Sequence, residues 1–248
     1  MGSVAQIGPP GQETRETAMT PILWKLAVRI FFPLLALSAA GVSAFAQMPP
    51  PQPVLVMNST MVDPQTLGWL ADDGRKALAS AIAQQKSGGL YAFVFVGAPG
   101  GDAWSYRSTN KAADFLSVEE LARAALQVCQ FFENGPCYII SINGHDARDT
   151  FGGYPDQPDF LADQHGIFAA TKIPFVTDTD QMTAASYATQ TSPRAFVLTP
   201  NGYWLWRTGK TVFDAIAAAY TDCQKGAPGQ VCVLYAVNDR VVFEPGHD

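Results

Sequence analysis

Four cysteines in two matched pairs constrain this chain more than any other feature. Seven residues lie between Cys129 and Cys137, and eight between Cys223 and Cys232. Zinc sites generally set two cysteines two to four residues apart, and redox pairs use C-x-x-C. Neither spacing occurs. Four cysteines allow three disulfide connectivities, and the surrounding sequence selects among them.

Two stretches share an order of residue types. The first begins Ala92-Phe93-Val94-Phe95-Val96, turns at glycine and proline, and continues Trp104-Ser105-Tyr106-Arg107. A helical pattern over 118–132 contains Cys129, and Asn134-Gly135-Pro136 then leads into Cys137-Tyr138-Ile139-Ile140. The second begins Ala195-Phe196-Val197-Leu198, turns at Pro200-Asn201-Gly202, and continues Trp204-Leu205-Trp206-Arg207. A helical pattern over 212–224 holds Cys223, and Cys232-Val233-Leu234-Tyr235 follows a Gly-Pro turn. Pairing 129–137 and 223–232 closes the same helix end onto the same strand in both. Loops this short stabilise by about 2–3 kcal/mol each on the chain-entropy model.

A helix-like segment precedes each stretch. Asp63-Pro64 opens one, with Leu67, Leu70, Leu78 and Ile82 as its apolar positions and Gly88-Gly89 as its end. The other is capped by Asp178 or Asp180 and runs to about Ala188. The expected fold is therefore α+β: two repeated helix–strand–strand–helix–strand units with antiparallel pairing, each carrying one short disulfide. Asn201-Gly202 between apolar runs signals a short hairpin. The units span 63–143 and 178–243. Residues 144–177 read as a Gly-, Pro- and Asp-rich linker with a short helix near 160–170, and 244–248 as a tail.

The N-terminus carries an export pattern. Lys25 and Arg29 precede an uncharged run from Ile30 to Ala46, which ends in Ala44-Phe45-Ala46. Charge, apolar core and an A-x-A end make a secretory signal over 1–46. The run is short for a membrane span and contains Pro33. Residues 1–18 are polar and unlike the start of such a signal, so Met19 is a candidate start. Prolines 49, 50, 51 and 53 make 47–62 a tether with polyproline character. Periplasmic or secreted placement follows, and an even cysteine count suits that oxidising compartment. No membrane span remains once the signal is cleaved.

The exported part keeps 13 Lys plus Arg against 20 Asp plus Glu, a net charge of about −7. An acidic surface repels phosphate backbones, so nucleic acid is not an expected partner. No Gly-x-Ser-x-Gly elbow, phosphate loop or dinucleotide glycine pattern occurs. No cofactor is expected. Asp178-Thr179-Asp180 lacks the other ligands of a calcium loop, and helix capping accounts for it, so no metal is expected either.

Two features remain as site candidates. Trp104 and Tyr106, and likewise Trp204 and Trp206, are i and i+2 on a strand, so each pair presents two rings on one face. Arg107 or Arg207 follows. If open, that face is a stacking platform for a sugar, peptide or aromatic ligand; if it faces the helices, it is core. His145, beside Asp146, is the other candidate, a general base for a periplasmic hydrolase. Its counterparts in the second unit are Asp239 and Arg240, so the histidine is not part of the repeated pattern.

The segment Cys232-Val233-Leu234-Tyr235-Ala236-Val237, preceded by an Ala-rich helix with a cysteine, resembles small secreted proteobacterial cysteine-paired repeat modules. The resemblance covers about 195–243 best and the first unit more loosely. It implies periplasmic placement and repeated use of one module, and transfers no catalytic residue. The expected role is a binding or structural module whose partner is an unidentified protein, envelope polymer or small ligand.

Overall fold

The computed structural model describes residues 51–110, 112, 117–162 and 164–245. The export signal expected over 1–46 lies outside the described residues. Both expected disulfides are present, and each joins the last turn of a helix to the start of a strand.

The first half contains α1 (Asp72–Lys86), β1 (Ala92–Gly97), β2 (Trp104–Thr109), α2 (Val118–Glu133), β3 (Tyr138–Ile142) and β4 (His145–Asp146). The second contains β5 (Gly166–Ile167), α3 (Asp178–Ala184), β6 (Arg194–Leu198), β7 (Trp204–Thr208), α4 (Val212–Gly226), β8 (Val233–Val237) and β9 (Arg240–Val241). Two antiparallel sheets result, ordered β2-β1-β3-β4 and β5-β9-β8-β6-β7.

The register fixes which residues match. Phe95 lies opposite Tyr106 and Phe196 opposite Trp206. One residue bulges out of the ladder in each half, Ile140 against β1 and Tyr235 against β6. Phe95 therefore corresponds to Phe196, two residues away from the match suggested by the shared Ala-Phe-Val. Chemistry repeats at the hairpin ends. Asn143 and Asn238 both have positive φ. Each uses its side-chain oxygen to accept the N–H of the first strand, from Phe93 at 2.9 Å and Arg194 at 3.1 Å. Each returns its own N–H to the same residue's carbonyl.

The likeness also reaches back into the stretches read as tether and linker. Met61 bridges His145, and Ile167 pairs Arg240. Short 3-10 turns follow at Pro64–Thr66 and Ala170–Lys172. Gly101 and Gly202, both at positive φ, back onto the carbonyls of Trp69 and Phe175, leaving no room for a Cβ at Gly101. Phe168, Ile173, Phe175 and Val176 are buried core residues. Among the described residues of 160–170 the expected helix is absent. Gly166 has φ of 93° there, a left-handed conformation that an α-helix does not accommodate.

Two helix boundaries also move. Asp63 caps only the Pro64–Thr66 turn, and α1 starts later, at Asp72. Thr177, not Asp178 or Asp180, caps α3, its hydroxyl accepting from Asp180 N–H at 3.0 Å. The α-helical part of that segment ends at Ala184 and continues as a 3-10 turn to Thr189.

The layers follow from alternation along the strands. Phe93, Phe95 and Ile140 face α1, together with Leu70, Leu78 and Ile82. Val94, Val96 and Ile139 face α2 through Leu121, Ala125 and Leu126. The opposite side of α2 sends Val128 and Phe131 into the second half, against Phe175, Phe196 and Tyr235. Ala195, Val197 and Leu205 face α4 through Ala215, Ala219 and Cys223. Helix α2 thus sits between the two sheets, and α4 covers the outer face of the second.

Candidate functional site

The paired aromatics lie against the cores. Trp104 and Tyr106 stack beside Phe95, with centroids 5.6 and 6.3 Å away and planes within 9°. Trp204 stacks beside Phe196 at 5.7 Å. All four rings are half-buried, packing against the helix-facing cluster of their own half. They extend a core instead of lining a cleft.

The two arginines that follow them act as ties. Arg107 donates to the Pro200 carbonyl in the β6–β7 turn, joining the halves, and burial holds its pKa down to about 10. Arg207 is exposed and donates to Asp222 on α4 at 2.7 Å. That hydrogen bond holds the Asp222 carboxyl below its usual range.

His145 and Asp146 do not form a pair. As neighbours on a strand they point to opposite faces. Asp146 is buried and holds Arg148: its carboxylate accepts from the Arg148 backbone N–H at 2.9 Å, from Nε at 2.7 Å and from Nη2. His145 lies opposite Met61, and its Nδ1 is buried without a hydrogen-bond partner. Among the described residues no acidic group accepts a hydrogen bond from His145 Nδ1 to orient it as a general base.

Asp146 instead anchors a loop that the sequence reading passed over. Residues 147–165 are the part of the chain between the matching segments of the two halves. Within them, Asp149 and Gly153 close a small ring. The Asp149 N–H donates to the Gly153 carbonyl at 2.7 Å, and the Gly152 N–H to the Asp149 carbonyl at 3.1 Å. The Asp149 carboxylate accepts from the N–H groups of Phe151 and Gly153 at 2.8 and 2.9 Å. Gly152, at φ of 84°, supplies the left-handed residue after the turn.

Both sides of this ring are fixed. Arg148 is tied to Asp146 on one side. On the other, Tyr154 packs edge-on to Trp69 at 5.9 Å and beside Tyr138 at 6.4 Å. Its hydroxyl is buried, and burial, aided by the Asp146 carboxylate, pushes its pKa up to about 12. At the tip stands Phe151, 95% exposed. The available signal was Asp149-Thr150-Phe151-Gly152-Gly153, a large apolar residue inside turn chemistry, where polar residues are the rule.

Shallow depressions mark the surface of the described residues, two of them as follows. One, of about 320 Å³, lies among Gln130, Asn134, Gln157 and Leu161. The other, of about 430 Å³, lies along α1 between Met61, Ile82 and Lys86. Neither is lined by His145 or the aromatic pairs. Among the described residues no three His, Cys, Asp or Glu side chains gather as metal ligands. No protein-family model, curated protein or solved structure matches this chain.

Proposed function

We propose that this chain is an exported, disulfide-stapled binding module that engages a partner protein through the 148–154 loop, with Phe151 as the anchor. The observation that carries the reading is a bare phenylalanine on a loop closed by four hydrogen bonds. Binding anchors are characteristically aromatic, and a preorganised loop loses little entropy on association. The contact is convex, which suits insertion into a pocket of another protein; small ligands prefer concave sites.

Compartment is part of the same proposal. Two disulfides fit an oxidising space, and among the described residues no helix is long and apolar enough to cross a membrane. The export pattern over 1–46 and the likeness of 195–243 to small secreted proteobacterial modules support periplasmic or secreted placement. The matching registers of the halves support duplication of one ancestral unit.

A photo-crosslinking amino acid at position 151 tests the contact in periplasmic extract of the source bacterium. Position 213, where Phe213 is also exposed on α4, serves as control. The expected result is a discrete adduct at 151, competed by excess unlabelled protein but not by its Phe151→Asp variant. Equal labelling at 151 and 213, or competition by the variant, would contradict the reading.

A further inference from the structure

The two disulfides form a natural matched pair. Their sequence separations are 8 and 9, and their Cα–Cα distances 6.1 and 6.2 Å. Both tie a helix end to the strand that follows. Ring size and position therefore do not distinguish them; surroundings do. Cys129 and Cys137 are both fully buried in the cluster beneath α2. Helix α2 is covered on its far side by the second half, through Val128 and Phe131. Cys223 is also fully buried, but Cys232 is only half-buried, at the rim of the α4 cluster. Its neighbour Val231 is exposed, and nothing among the described residues is clustered over the outer face of α4.

Thiol–disulfide exchange needs a thiolate to reach one sulfur in line with the bond that breaks. Of the four cysteines, Cys232 alone has surface exposure. From this asymmetry we infer that Cys223–Cys232 is a native-state exchange site for a dithiol, such as that of a thiol–disulfide oxidoreductase, and that Cys129–Cys137 is inert. The incoming thiolate attacks Cys232 Sγ, forming a mixed disulfide and releasing Cys223 as thiolate. The second thiol of the dithiol then attacks the dithiol's first sulfur, which is bonded to Cys232 in the mixed disulfide, forming the dithiol's own S–S bond and releasing Cys232 as thiolate. The dithiol is oxidised to a disulfide, and the protein gains two electrons and, at neutral pH, two protons.

Opening this link frees the last turn of α4 from the start of β8. Ala215 and Ala219 still hold the rest of the helix on β6. The event is a local loosening around 221–232 within a folded protein, and it does not depend on the Phe151 contact.

The experiment uses the exported, oxidised protein in native buffer with dithiothreitol. Aliquots are acid-quenched, alkylated and mapped by peptide mass. Cys223 and Cys232 should become alkylated at least about tenfold faster than Cys129 and Cys137, because the inner link opens only with its covering layer. Far-UV circular dichroism should stay native when only the outer link is open. Equal rates, faster opening of 129–137, or no reduction of either link before unfolding would overturn the inference. Glutathione supplies a second readout: the trapped mixed disulfide should sit on Cys232, and its appearance on Cys223 would overturn the direction of attack.

Discussion

Helices α2 and α4 occupy the same place in their two halves and differ in what surrounds them. Both start at a hydroxyl cap, Ser117 or Thr211, whose oxygen accepts an N–H one turn on. Both carry a disulfide cysteine near their end. With Cys129 matched to Cys223, the outward residues of α2 are Gln127, Val128 and Phe131, and those of α4 are Thr221, Asp222 and Lys225. The first set enters the core of the second half; Asp222 and Lys225 form a surface ion pair. A helix between two sheets needs two apolar faces, whereas one at the end of a stack needs a polar face towards water. Position in the stack, not the unit's own architecture, dictates the difference.

The comparison breaks most readily at Phe131. This residue is 2% exposed and meets the rings of Phe175 and Phe243. Phe131→Ala should cost about 3–5 kcal/mol, while Lys225→Ala at the matching exposed position should stay within about 0.5 kcal/mol. Denaturant midpoints at unchanged slope measure both, and similar losses would remove the asymmetry. A smaller contrast is expected one residue earlier. The Gln130 amide accepts from Phe160 N–H at 3.1 Å and donates to the Pro158 carbonyl at 2.8 Å. Gln130→Ala strands a buried N–H and should cost about 1–3 kcal/mol; the exposed Gln224→Ala should be silent by the same titration.

Likeness can be tested as directly as difference. Asn143→Ala and Asn238→Ala each remove one hydrogen bond and place alanine at a positive φ of 53° or 52°. Each should cost about 1–2 kcal/mol, and the two losses should agree within about 0.5 kcal/mol. A large inequality between them would mean that the hairpins are not equivalent.

Alkali should separate the halves more gently. Burial pushes Tyr154 in the inter-half loop and Tyr187 in the second half up to about 12, and Tyr235 in the second half higher still, against 10 for the free side chain. A raised folded-state pKa means the native state holds its proton more tightly. The associated stability is complete below pH 10 and is lost as pH rises towards 12. Denaturant midpoints should fall over that window, with tyrosinate absorbance lagging behind that of free tyrosine. Titration of every tyrosine near pH 10 in the folded protein would contradict the burial of these hydroxyls.

The cysteine pairing, the strand–strand–helix–strand order and the antiparallel hairpins were legible in the chain, because spacing and turn chemistry act locally. The hairpin at Asn143-Gly144 was equally legible and overlooked: it links Ile142 and His145 with two residues of positive φ. What escaped sequence reading is set by tertiary contact. Met61 and Ile167 are short edge partners whose pairing depends on the distant hairpins they cover. Phe168, Ile173 and Phe175 have no period that marks them as core, since they line an irregular path over a sheet face. The site shows the same division. The i, i+2 aromatics were correctly seen as sharing a face, but period two does not say which face is open. Phe151 carries no periodic signal, and its importance lies in the frame built by Asp146, Arg148, Asp149 and Tyr154.

Native-state amide hydrogen exchange tests the central asymmetry most directly. The central turns of α2, from Leu121 to Phe131, should exchange only through global unfolding, with the same opening free energy as β1 and β6. The last turns of α4 should exchange through smaller local openings, with lower protection than α2 at every matched position. Equal protection of α2 and α4, or greater protection of α4, would contradict the placement of α2 as the shared layer between the two sheets.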